Sequence, residues 1–321
     1  MTTVDVVVVN WNGADVLGDC LRSVVEHESD HSVRVVLVDN DSHDDSLAVA
    51  ATTAPDAVVV RTGSNLGFAG GVQAGIEASD AEVVVLLNND ATLVAGFVDH
   101  AVGRLLDSEA TGAVTGRLLL SELRADGVRL INSTGVEITA SGNGRDRDWL
   151  RPDGDGERPS PDVFGLCGGA VALRRRALDD VGGFDPSLFL YYEDTDLSWR
   201  LRLAGWAIRY EHDAVVLHRH AHSTVDGSPL FVRQNARNRL VVATRYAPLP
   251  VVARAWSATV VRAVRLRIAA ARGRGAGETA AAVSDGLLSA VRSLPHDLSS
   301  RRAWNARAVV GAAERRALIS R

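Results

Sequence analysis

The chain opens, at residues 4–13, with the stretch Val-Asp-Val-Val-Val-Val-Asn-Trp-Asn-Gly, a nearly unbroken β-branched run that stops in a polar, glycine-containing loop. An amphipathic stretch from Val16 to Val25 follows, so the segment is typical of a buried strand, a loop and a helix. The same alternation continues through residues 33–61 and 65–87. Buried strands that alternate with helices predict an α/β fold with a doubly wound parallel sheet.

Polar clusters follow three of the predicted strands. They are Asn10–Gly13, Asp39–Ser42 and Asn88–Asp90. In open α/β sheets, ligands bind at the carboxyl ends of the strands. The sequence therefore predicts a ligand site at this edge of the sheet.

Composition and charge bound the class of protein. The chain has 321 residues, of which 46% are hydrophobic and 23% charged, and this excludes a disordered chain or a small disulfide-stapled scaffold. Residues 1–232 carry 36 acids and 18 arginines, whereas residues 233–321 carry 17 arginines and 4 acids. The basic tail predicts either an anionic partner, such as a phospholipid surface, a lipid diphosphate or nucleic acid, or a solvated face that contacts the acidic body.

The pattern divides the chain into a main domain, residues 1–230, and a basic helical C-terminal region, residues 231–321. Within the main domain we expect a nucleotide-binding half to about residue 120 and an acceptor half over 121–230. The polar, glycine- and proline-rich stretch 141–162 is interpreted as a flexible connection between the halves. In the tail a helical pattern begins beyond residue 230, and two further helices are predicted, roughly over Ala280–Ser293 and Arg301–Ile319.

The ends and apolar runs of the chain give an expectation of location. The chain begins without a basic, then apolar, leader, and no run reaches 18 apolar residues. These features predict a cytoplasmic protein, and the basic tail would allow peripheral contact with the inner face of the cell membrane.

Acids, histidines and two asparagines form the strongest candidate site. The members are Asp39, Asn88, Asn89, Asp90, Glu193, Asp194, Asp196, His218, His220 and His222. Carboxylates and a histidine that converge on a hard divalent cation are a usual means of holding a diphosphate, because the cation neutralises charge on the leaving phosphate.

Several segments together resemble glycosyltransferase family 2, an inverting family with the GT-A fold. The segments are Val6–Gly13, Val35–Ser46, Asn65–Gly75, Val83–Asp90, Gly165–Asp196 and His218–Thr224. Phe189–Arg202 and the histidine segment are similar to bacterial rhamnosyltransferases that extend lipid-linked cell-wall precursors. The resemblance implies a Rossmann-like, mostly parallel central sheet flanked by helices, with a C-terminal helical extension.

The resemblance also implies a set of nucleotide-sugar-binding residues. They are Asn10, Asp39, Asn65, Gly67, Asn88, Asn89, Gly168 and Gly169. Asp39 would contact the nucleoside, although an aspartate there is also a good helix cap. Gly67 would let the backbone approach the donor closely. Packing of a buried strand would equally explain Gly168 and Gly169.

The implied metal ligands are Asp90 and His218, which would bind Mg²⁺ or Mn²⁺. Asn88 stands where the family's Asp-x-Asp motif has its first acid. The missing charge weakens the expectation of a divalent cation and leaves Asn88 free to bond the ribose or a metal-bound water. His220 and His222 are weaker candidates.

The acidic pair supplies the implied catalytic residues. Asp194 matches the general base that takes the proton of the acceptor hydroxyl, and Glu193 or Asp196 could serve instead. Asp196 is also explained as an acid in the first turn of a helix. Trp199 could stack on a sugar or belong to the core.

The expected function is inverting transfer of a sugar, preferably rhamnose from dTDP-rhamnose, to a saccharide linked to a polyprenyl diphosphate in the cell envelope. A UDP-sugar donor or a natural-product acceptor is the alternative. A non-catalytic protein that binds lipid or nucleic acid through the tail is the rival of another class, but it would not need the acidic site. The Asn10–Gly13 loop lacks Gly-x-Gly-x-x-Gly, which argues against a dinucleotide-dependent oxidoreductase. The tail could instead form a homo-oligomer contact.

Overall fold

The computed structural model describes residues 1–154, 161–219 and 227–320. The strands are β1 (Thr3–Asn10), β2 (Ser32–Asp39), β3 (Val58–Arg61), β4 (Val83–Asn88), β5 (Ala91–Leu93), β6 (Thr111–Leu123), β7 (Arg129–Ser133), β8 (Val136–Thr139), β9 (Gly144–Asp146), β10 (Ala170–Arg174), β11 (Ala207–His218) and β12 (Ile319–Ser320). The helices are α1 (Ala14–Val25), α2 (Ser46–Thr53), α3 (Gly67–Glu77), α4 (Phe97–Leu106), α5 (Arg175–Val181), α6 (Glu193–Leu203), α7 (Pro229–Tyr246), α8 (Leu249–Ala271), α9 (Gly277–Arg307) and α10 (Ala312–Ala317).

The central sheet has the strand order β3-β2-β1-β4-β10-β6-β11-β5, with β7 paired to β6. Strands β3, β2, β1 and β4 run parallel, as predicted. Beyond β4 the pairings are mixed, because β10 runs antiparallel to both β4 and β6 while β11 runs parallel to β6. Strands β8, β9 and β12 form a separate small sheet.

Helices cover both faces of β1, which explains its apolar run Val6–Val9. Val8 belongs to the core layer that contains Leu17 of α1, whereas Val7 belongs to the layer that contains Ile76 of α3. Successive side chains of a strand point to opposite faces, so a strand buried on both faces needs apolar residues at every position.

Two expectations about the later chain are corrected. Residues 144–146 of the stretch expected to be a flexible connection form β9, which pairs with β8 through main-chain hydrogen bonds. The two helices predicted over Ala280–Ser293 and Arg301–Ile319 are largely one helix, α9, which continues through Pro295 and is followed by the short α10. Asp297 of α9 accepts hydrogen bonds from Ser293, before the proline, and from Arg245 of α7, which hold the helix together there.

The C-terminal helices share a core with the main domain. Leu240 and Tyr246 of α7 and Ala290 of α9 are buried in one cluster with Trp199 of α6. In the described part of the chain, the search for a helix both long and apolar enough to cross a membrane finds none.

Candidate active site

The carboxyl ends of β1 and β4 are tied together by side-chain amides. Asn10 Oδ1 accepts a hydrogen bond from Asn89 Nδ2 (2.8 Å), and Asn10 Nδ2 donates to Ser42 Oγ (3.2 Å). Both amides are buried, and a Cβ at Gly13 would collide with them. Asn10 and Asn89 therefore join the loops that follow β1 and β4 at this edge of the sheet.

Asp39 is buried at the end of β2. Its Oδ1 accepts a hydrogen bond from the Ser42 N–H (3.2 Å), and its Oδ2 lies 3.9 Å from Arg61 Nε. The side chain thus shapes the loop after β2, at the sheet edge where a nucleoside is predicted to bind.

The glycine segment before α3 approaches the chain ahead of α6. Asn65 Oδ1 accepts a hydrogen bond from the Gly67 N–H (2.8 Å), and Asn40 Nδ2 donates to the Gly67 carbonyl (3.0 Å). Gly67 has φ +70°, and a Cβ there would collide with the carbonyl oxygen of Phe189, which accepts a hydrogen bond from the Ala69 N–H (3.1 Å). Glycine is required at residue 67 for both its backbone angle and this contact.

His218 joins the ends of three strands. Its Nδ1 lies 2.5 Å from Asn132 Oδ1, and its Nε2 lies 3.0 Å from Asp90 Oδ1 and 3.2 Å from Asn88 Nδ2. Because an amide oxygen can only accept, Nδ1 donates to Asn132, and Nε2 faces Asp90 and Asn88. His218 Nε2 and the Asp90 carboxylate therefore lie side by side at the carboxyl end of the sheet.

Asp90 and His218 therefore fit a divalent cation as an oxygen and a nitrogen ligand. Asn132 supplies the hydrogen bond to the far ring nitrogen that fixes the orientation of a metal-binding histidine. Among the described residues no group of three or more histidine, cysteine or acidic side chains could hold a metal ion. The remaining ligands would have to come from water and a bound diphosphate, as is common for Mg²⁺.

Sequence reasoning missed Asn132. It is a buried polar residue in β7, between Ile131 and Ser133, and it reaches His218 across 86 positions of sequence. A buried amide within a strand needs a partner, but the sequence alone does not show which one.

A strained turn delivers the acidic pair to the site. Phe189, Tyr191 and Tyr192 adopt left-handed backbone angles, with φ of 63°, 68° and 70°, and Glu193 then begins α6. Such conformations cost free energy in non-glycine residues and persist where the surroundings impose them. Asn238 of α7 imposes this one, since its Nδ2 donates to the carbonyls of Leu188, Leu190 and Tyr191 at 2.7–3.0 Å.

Asp194 and Glu193 differ in their surroundings. Asp194 is half-buried, and its Oδ1 accepts hydrogen bonds from the Thr195 N–H (2.5 Å) and Oγ1 (3.1 Å). Burial raises the pKa of Asp194, the charge of Asp146 raises it further, and the Thr195 hydrogen bonds oppose the rise. Glu193 is buried, and its Oε2 makes no hydrogen bond with any described residue. Burial and the adjacent Asp194 raise the pKa of Glu193 well above its usual range.

A cavity of about 810 Å³ lies between the β8–β9 hairpin, α6 and the start of α7. We call it the hairpin cavity. Its lining includes Asp146, Trp149, Tyr191, Asp194, Thr195 and Phe231. Of the predicted site residues that the structure describes, Asp194 is the one in this lining. Asp39 and Asp90, at the strand ends, do not line the hairpin cavity.

Gly168 and Gly169 connect the hairpin cavity to the strand ends. A Cβ at Gly168 would lie 3.8 Å from the Cβ of Asp194, and one at Gly169 would lie 3.5 Å from Asn88 Nδ2. The Gly169 carbonyl also accepts a hydrogen bond from the Asn88 N–H (3.0 Å). The two glycines therefore keep side chains out of the space between Asp194 and the cluster of Asn88, Asp90 and His218, which we call the Asn88–His218 group.

Two of the weaker candidates, Asp196 and Trp199, are buried in the interior of the protein. Asp196 is fully buried and pairs with Arg200 (2.6 Å) and with the Tyr246 hydroxyl (2.9 Å), so its carboxylate is not available as a base. Trp199 is 1% exposed and packs edge-on against Phe164 at 4.9 Å, so it is a core residue and cannot stack on a sugar. His220 and His222 lie outside the described residues.

A family comparison identifies the chain. The sequence model of "Glycosyl transferase family 2" matches residues 5–182, more than half of the chain. The chain belongs to glycosyl transferase family 2. It is therefore an enzyme of the glycosyltransferase class, as the motifs predicted.

Two curated relatives of this glycosyltransferase come from Mycobacterium tuberculosis. One, an N-acetylglucosaminyl-diphospho-decaprenol L-rhamnosyltransferase, is 31% identical over 220 residues, which are 61% of this chain and 69% of that protein. The other, a pre-mycofactocin glycosyltransferase, is 27% identical over 193 residues, 59% of this chain and 38% of that protein. The resemblance to bacterial rhamnosyltransferases is thereby confirmed.

Solved structures confirm the GT-A fold of this glycosyltransferase. GalNAc-T7 with UDP, GalNAc and Mn²⁺ aligns with a TM-score of 0.63 at 16% identity, covering 78% of this chain and 49% of that one. The mannosyltransferase PcManGT from Pyrobaculum calidifontis, in complex with GDP-Man and Mn²⁺, aligns with a TM-score of 0.53 at 19% identity, covering 92% and 87%. At such identities the likeness concerns the fold alone.

Proposed function

We propose that this glycosyltransferase moves a sugar, with inversion, from a nucleoside diphosphate donor to an acceptor hydroxyl bound in the hairpin cavity, and that Asp194 is the general base. The observation that carries the proposal is the position of Asp194. It lines the hairpin cavity, and the adjacent residues Gly168 and Gly169 lie against Asp194 and against Asn88, respectively. A base between donor and acceptor is what a single displacement requires.

In this reaction the acceptor oxygen attacks the anomeric carbon as the bond from that carbon to the diphosphate oxygen breaks. Asp194 takes the proton of the attacking hydroxyl, and the nucleoside diphosphate leaves with the bond's electron pair. A pKa raised by burial brings the carboxylate closer to the operating pH and makes it a better proton acceptor. The pKa of Glu193 is raised more, so Glu193 holds its proton near neutral pH and is the weaker candidate for the base.

Asp90 and His218 would hold a divalent cation, Mg²⁺ or Mn²⁺, which would supply charge neutralisation at the diphosphate of the donor. Asn132 would keep His218 Nε2 directed at that position through its bond to Nδ1. The Mn²⁺ bound in two of the similar solved structures supports this assignment.

For the donor and acceptor we propose dTDP-rhamnose and a saccharide linked to a polyprenyl diphosphate. The 31% identical relative, whose name states a rhamnosyl transfer to such a carrier, supports both. Trp149, Tyr191 and Phe231 give the hairpin cavity aromatic walls, which suit a saccharide. The pre-mycofactocin relative supports the second candidate, a different donor or a natural-product acceptor.

The test compares wild type with Asp194→Asn in donor binding and in turnover. A panel of dTDP- and UDP-sugars, with and without Mg²⁺ or Mn²⁺, is screened by thermal shift. We expect dTDP-rhamnose with metal to raise the Tm of both proteins. We expect Asp194→Asn to lower kcat by roughly 10²–10⁴-fold, the usual contribution of a general base.

Glu193→Gln is the discriminating variant, because glutamine imitates the protonated form of this neighbouring carboxyl. It should keep kcat within about tenfold of wild type, since a protonated Glu193 contributes no base. If Glu193→Gln loses turnover and Asp194→Asn keeps it, the base is Glu193. If no sugar nucleotide stabilises the wild type, the proposed donor site is wrong.

A further inference from the structure

Helix α8 carries an apolar stripe that faces solvent. Its inner side, with Val251, Ala255, Thr259 and Ala263, is buried. On the outer side Val260, Val264 and Ile268 are 44%, 52% and 45% exposed, and they follow one another at intervals of four residues. Residues four apart lie on the same face of a helix, so the three form one continuous strip.

Arginines border this strip. Arg254, Arg265 and Arg272 are exposed and lie at intervals of 11 and 7 residues, which places them along one flank of the helix axis. Residues 249–276 contain six arginines and no acid. Within the part of the chain that the structure describes, no ion pair involves Arg254, Arg262 or Arg265. The positive charge of this face is therefore available to an external anion.

The rest of α8 is fixed to the hairpin cavity. Val251 and Ala255 lie against Gly142, in the turn that joins β8 to β9. Arg239 of α7 strengthens this junction by donating to Asn143 Oδ1 (2.6 Å), in the turn, and to the Ala255 carbonyl (3.2 Å), in α8. The orientation of the outer face of α8 is thus coupled to the wall of the hairpin cavity.

We propose that the outer face of α8 is a membrane-docking surface that lies in the interface of an anionic phospholipid membrane. A helix with an exposed apolar strip, arginine flanks and no acids inserts its apolar side among the acyl chains, while the arginines reach the lipid phosphates. The charge complementarity selects a lipid surface over a second copy of the chain, because pairing two α8 faces would bring like charges together. Binding of this face to lipid does not depend on sugar transfer.

The experiment measures binding of the full chain to lipid vesicles in the absence of any sugar donor. Vesicles of phosphatidylcholine with about one-third phosphatidylglycerol are compared with pure phosphatidylcholine by flotation. We expect the wild type to bind the anionic vesicles at least tenfold more tightly, and the binding to weaken as salt increases. Val264→Glu combined with Ile268→Glu should reduce the affinity at least tenfold.

Leu288→Glu combined with Val291→Glu is the matched control. These two α9 residues are also exposed apolar side chains, at 48% and 45%, but they lie outside the proposed surface, so the affinity should stay unchanged. Arg254→Gln with Arg265→Gln should weaken binding to anionic vesicles by about fivefold per arginine. Thermal melts identify any variant that has lost its fold, and the Arg pair then supplies the test.

Three results would overturn the membrane-docking surface. The first is equal binding of the α8 and α9 variants, and the second is no preference of the wild type for anionic lipid. The third is a wild type that does not bind vesicles and forms a concentration-dependent dimer, which Val264→Glu with Ile268→Glu converts to monomer in sedimentation. That outcome would assign the apolar strip to self-association.

Discussion

Asp146 is the residue that tunes the proposed base. It ends β9 and, like Asp194, lines the hairpin cavity. After burial, its negative charge is the largest cause that raises the pKa of Asp194, which reaches about 6. An ordinary aspartate titrates near 3.9. The activity of the enzyme should therefore begin to fall at a higher pH than an isolated aspartate would cause, and this acidic side of the pH profile is called the acid limb.

Removing this charge gives a testable pH dependence. The proton acceptor is the ionised form of Asp194, so kcat/KM of the wild type should fall as pH drops through about 6. In Asp146→Asn the pKa of Asp194 falls, and the acid limb should move down by about half a pH unit or more. Profiles of kcat/KM against pH, recorded for the wild type and for Asp146→Asn, measure the acid limb of each protein.

Glu137→Gln is the control for this shift. Glu137 belongs to the same hairpin and lines the same cavity, where it pairs with Arg145 (2.7 Å). It is not among the main causes of the raised pKa of Asp194, so its loss should leave the acid limb in place. An unmoved limb in Asp146→Asn, or equal shifts in both variants, would contradict the coupling of Asp146 to Asp194.

Individual residues were predictable where a strand end fixes them. Asp90 and His218 were expected together because each ends or follows a strand of one sheet, and Nε2 and Oδ1 lie 3.0 Å apart. Their role as metal ligands stays a prediction. Asp146 and Asn132 were not predictable, because they reach the site through tertiary pairing of the small sheet and of β7 with β6, which no local pattern marks.

At the scale of elements, α7 shapes the turn that leads into α6. Three residues of this turn hold left-handed angles, and the Asn238 amide donates to three of its carbonyls. The buried α7 thereby positions Asp194, which is the second residue of α6. The link runs from a buried side chain of a C-terminal helix to the proposed catalytic carboxylate.

Asn238→Ala tests this link. Removing one donor from buried carbonyls should lower the free energy of unfolding by about 1–3 kcal/mol. The turn would relax towards ordinary backbone angles, so kcat should fall more than donor affinity does. Urea denaturation measures the first effect, and steady-state kinetics measure the second.

Asn305→Ala provides the comparison, because Asn305 is an exposed asparagine of α9 that should change neither quantity. If Asn238→Ala loses stability but keeps the wild-type kcat, α7 supports the fold and does not position Asp194.

Elements were predictable where one period dominates the sequence. The runs of β1, β2 and β4 can be recognised as strands from the sequence, because burial on both faces gives each of them at least four consecutive apolar residues. The β8–β9 hairpin did not, since its strands have four and three residues and its polar side chains line a cavity. Pro295 did not end α9, because the Asp297 contacts hold both sides of it.

At the scale of the molecule, the basic C-terminal region divides its charge between two uses. Arg239, Arg245 and Arg301 point inward, where they hydrogen-bond to the body or between the helices. Arg254 and Arg265 point outward, on the proposed membrane-docking surface. The uneven charge of residues 1–232 and 233–321 therefore predicts a basic region. It does not show which arginines of that region are buried and which are exposed.

Arg245 joins three segments of the chain through three carboxylates. Its guanidinium bonds Asp185 before α6 (2.6 Å) and Asp297 of α9 (2.8 Å), and it lies 3.5 Å from Asp196 of α6. Burial alone would raise the pKa of Asp185, but hydrogen bonds from Arg245 and Ser187 outweigh it and lower that pKa. The C-terminal helices thus contribute the cation that keeps the pKa of Asp185 low in the interior.

Arg245→Met should consequently destabilise the whole molecule. Leaving buried carboxylates without their cation typically costs about 3–5 kcal/mol, whereas Arg302→Met, at an exposed position of α9, should cost less than about 0.5 kcal/mol. In the variant the deficit arises from ionised carboxylates, so it should shrink as pH falls towards about 4 and they take up protons. Urea denaturation at several pH values measures this.

Adding Asp297→Asn to Arg245→Met should restore part of the loss, because the double variant has one fewer unpaired buried charge. Purely additive losses, or a deficit that does not change between pH 7 and pH 4, would mean that Arg245 acts through packing alone. The C-terminal helices would then be held to the main domain by their apolar contacts, without this shared ion pair.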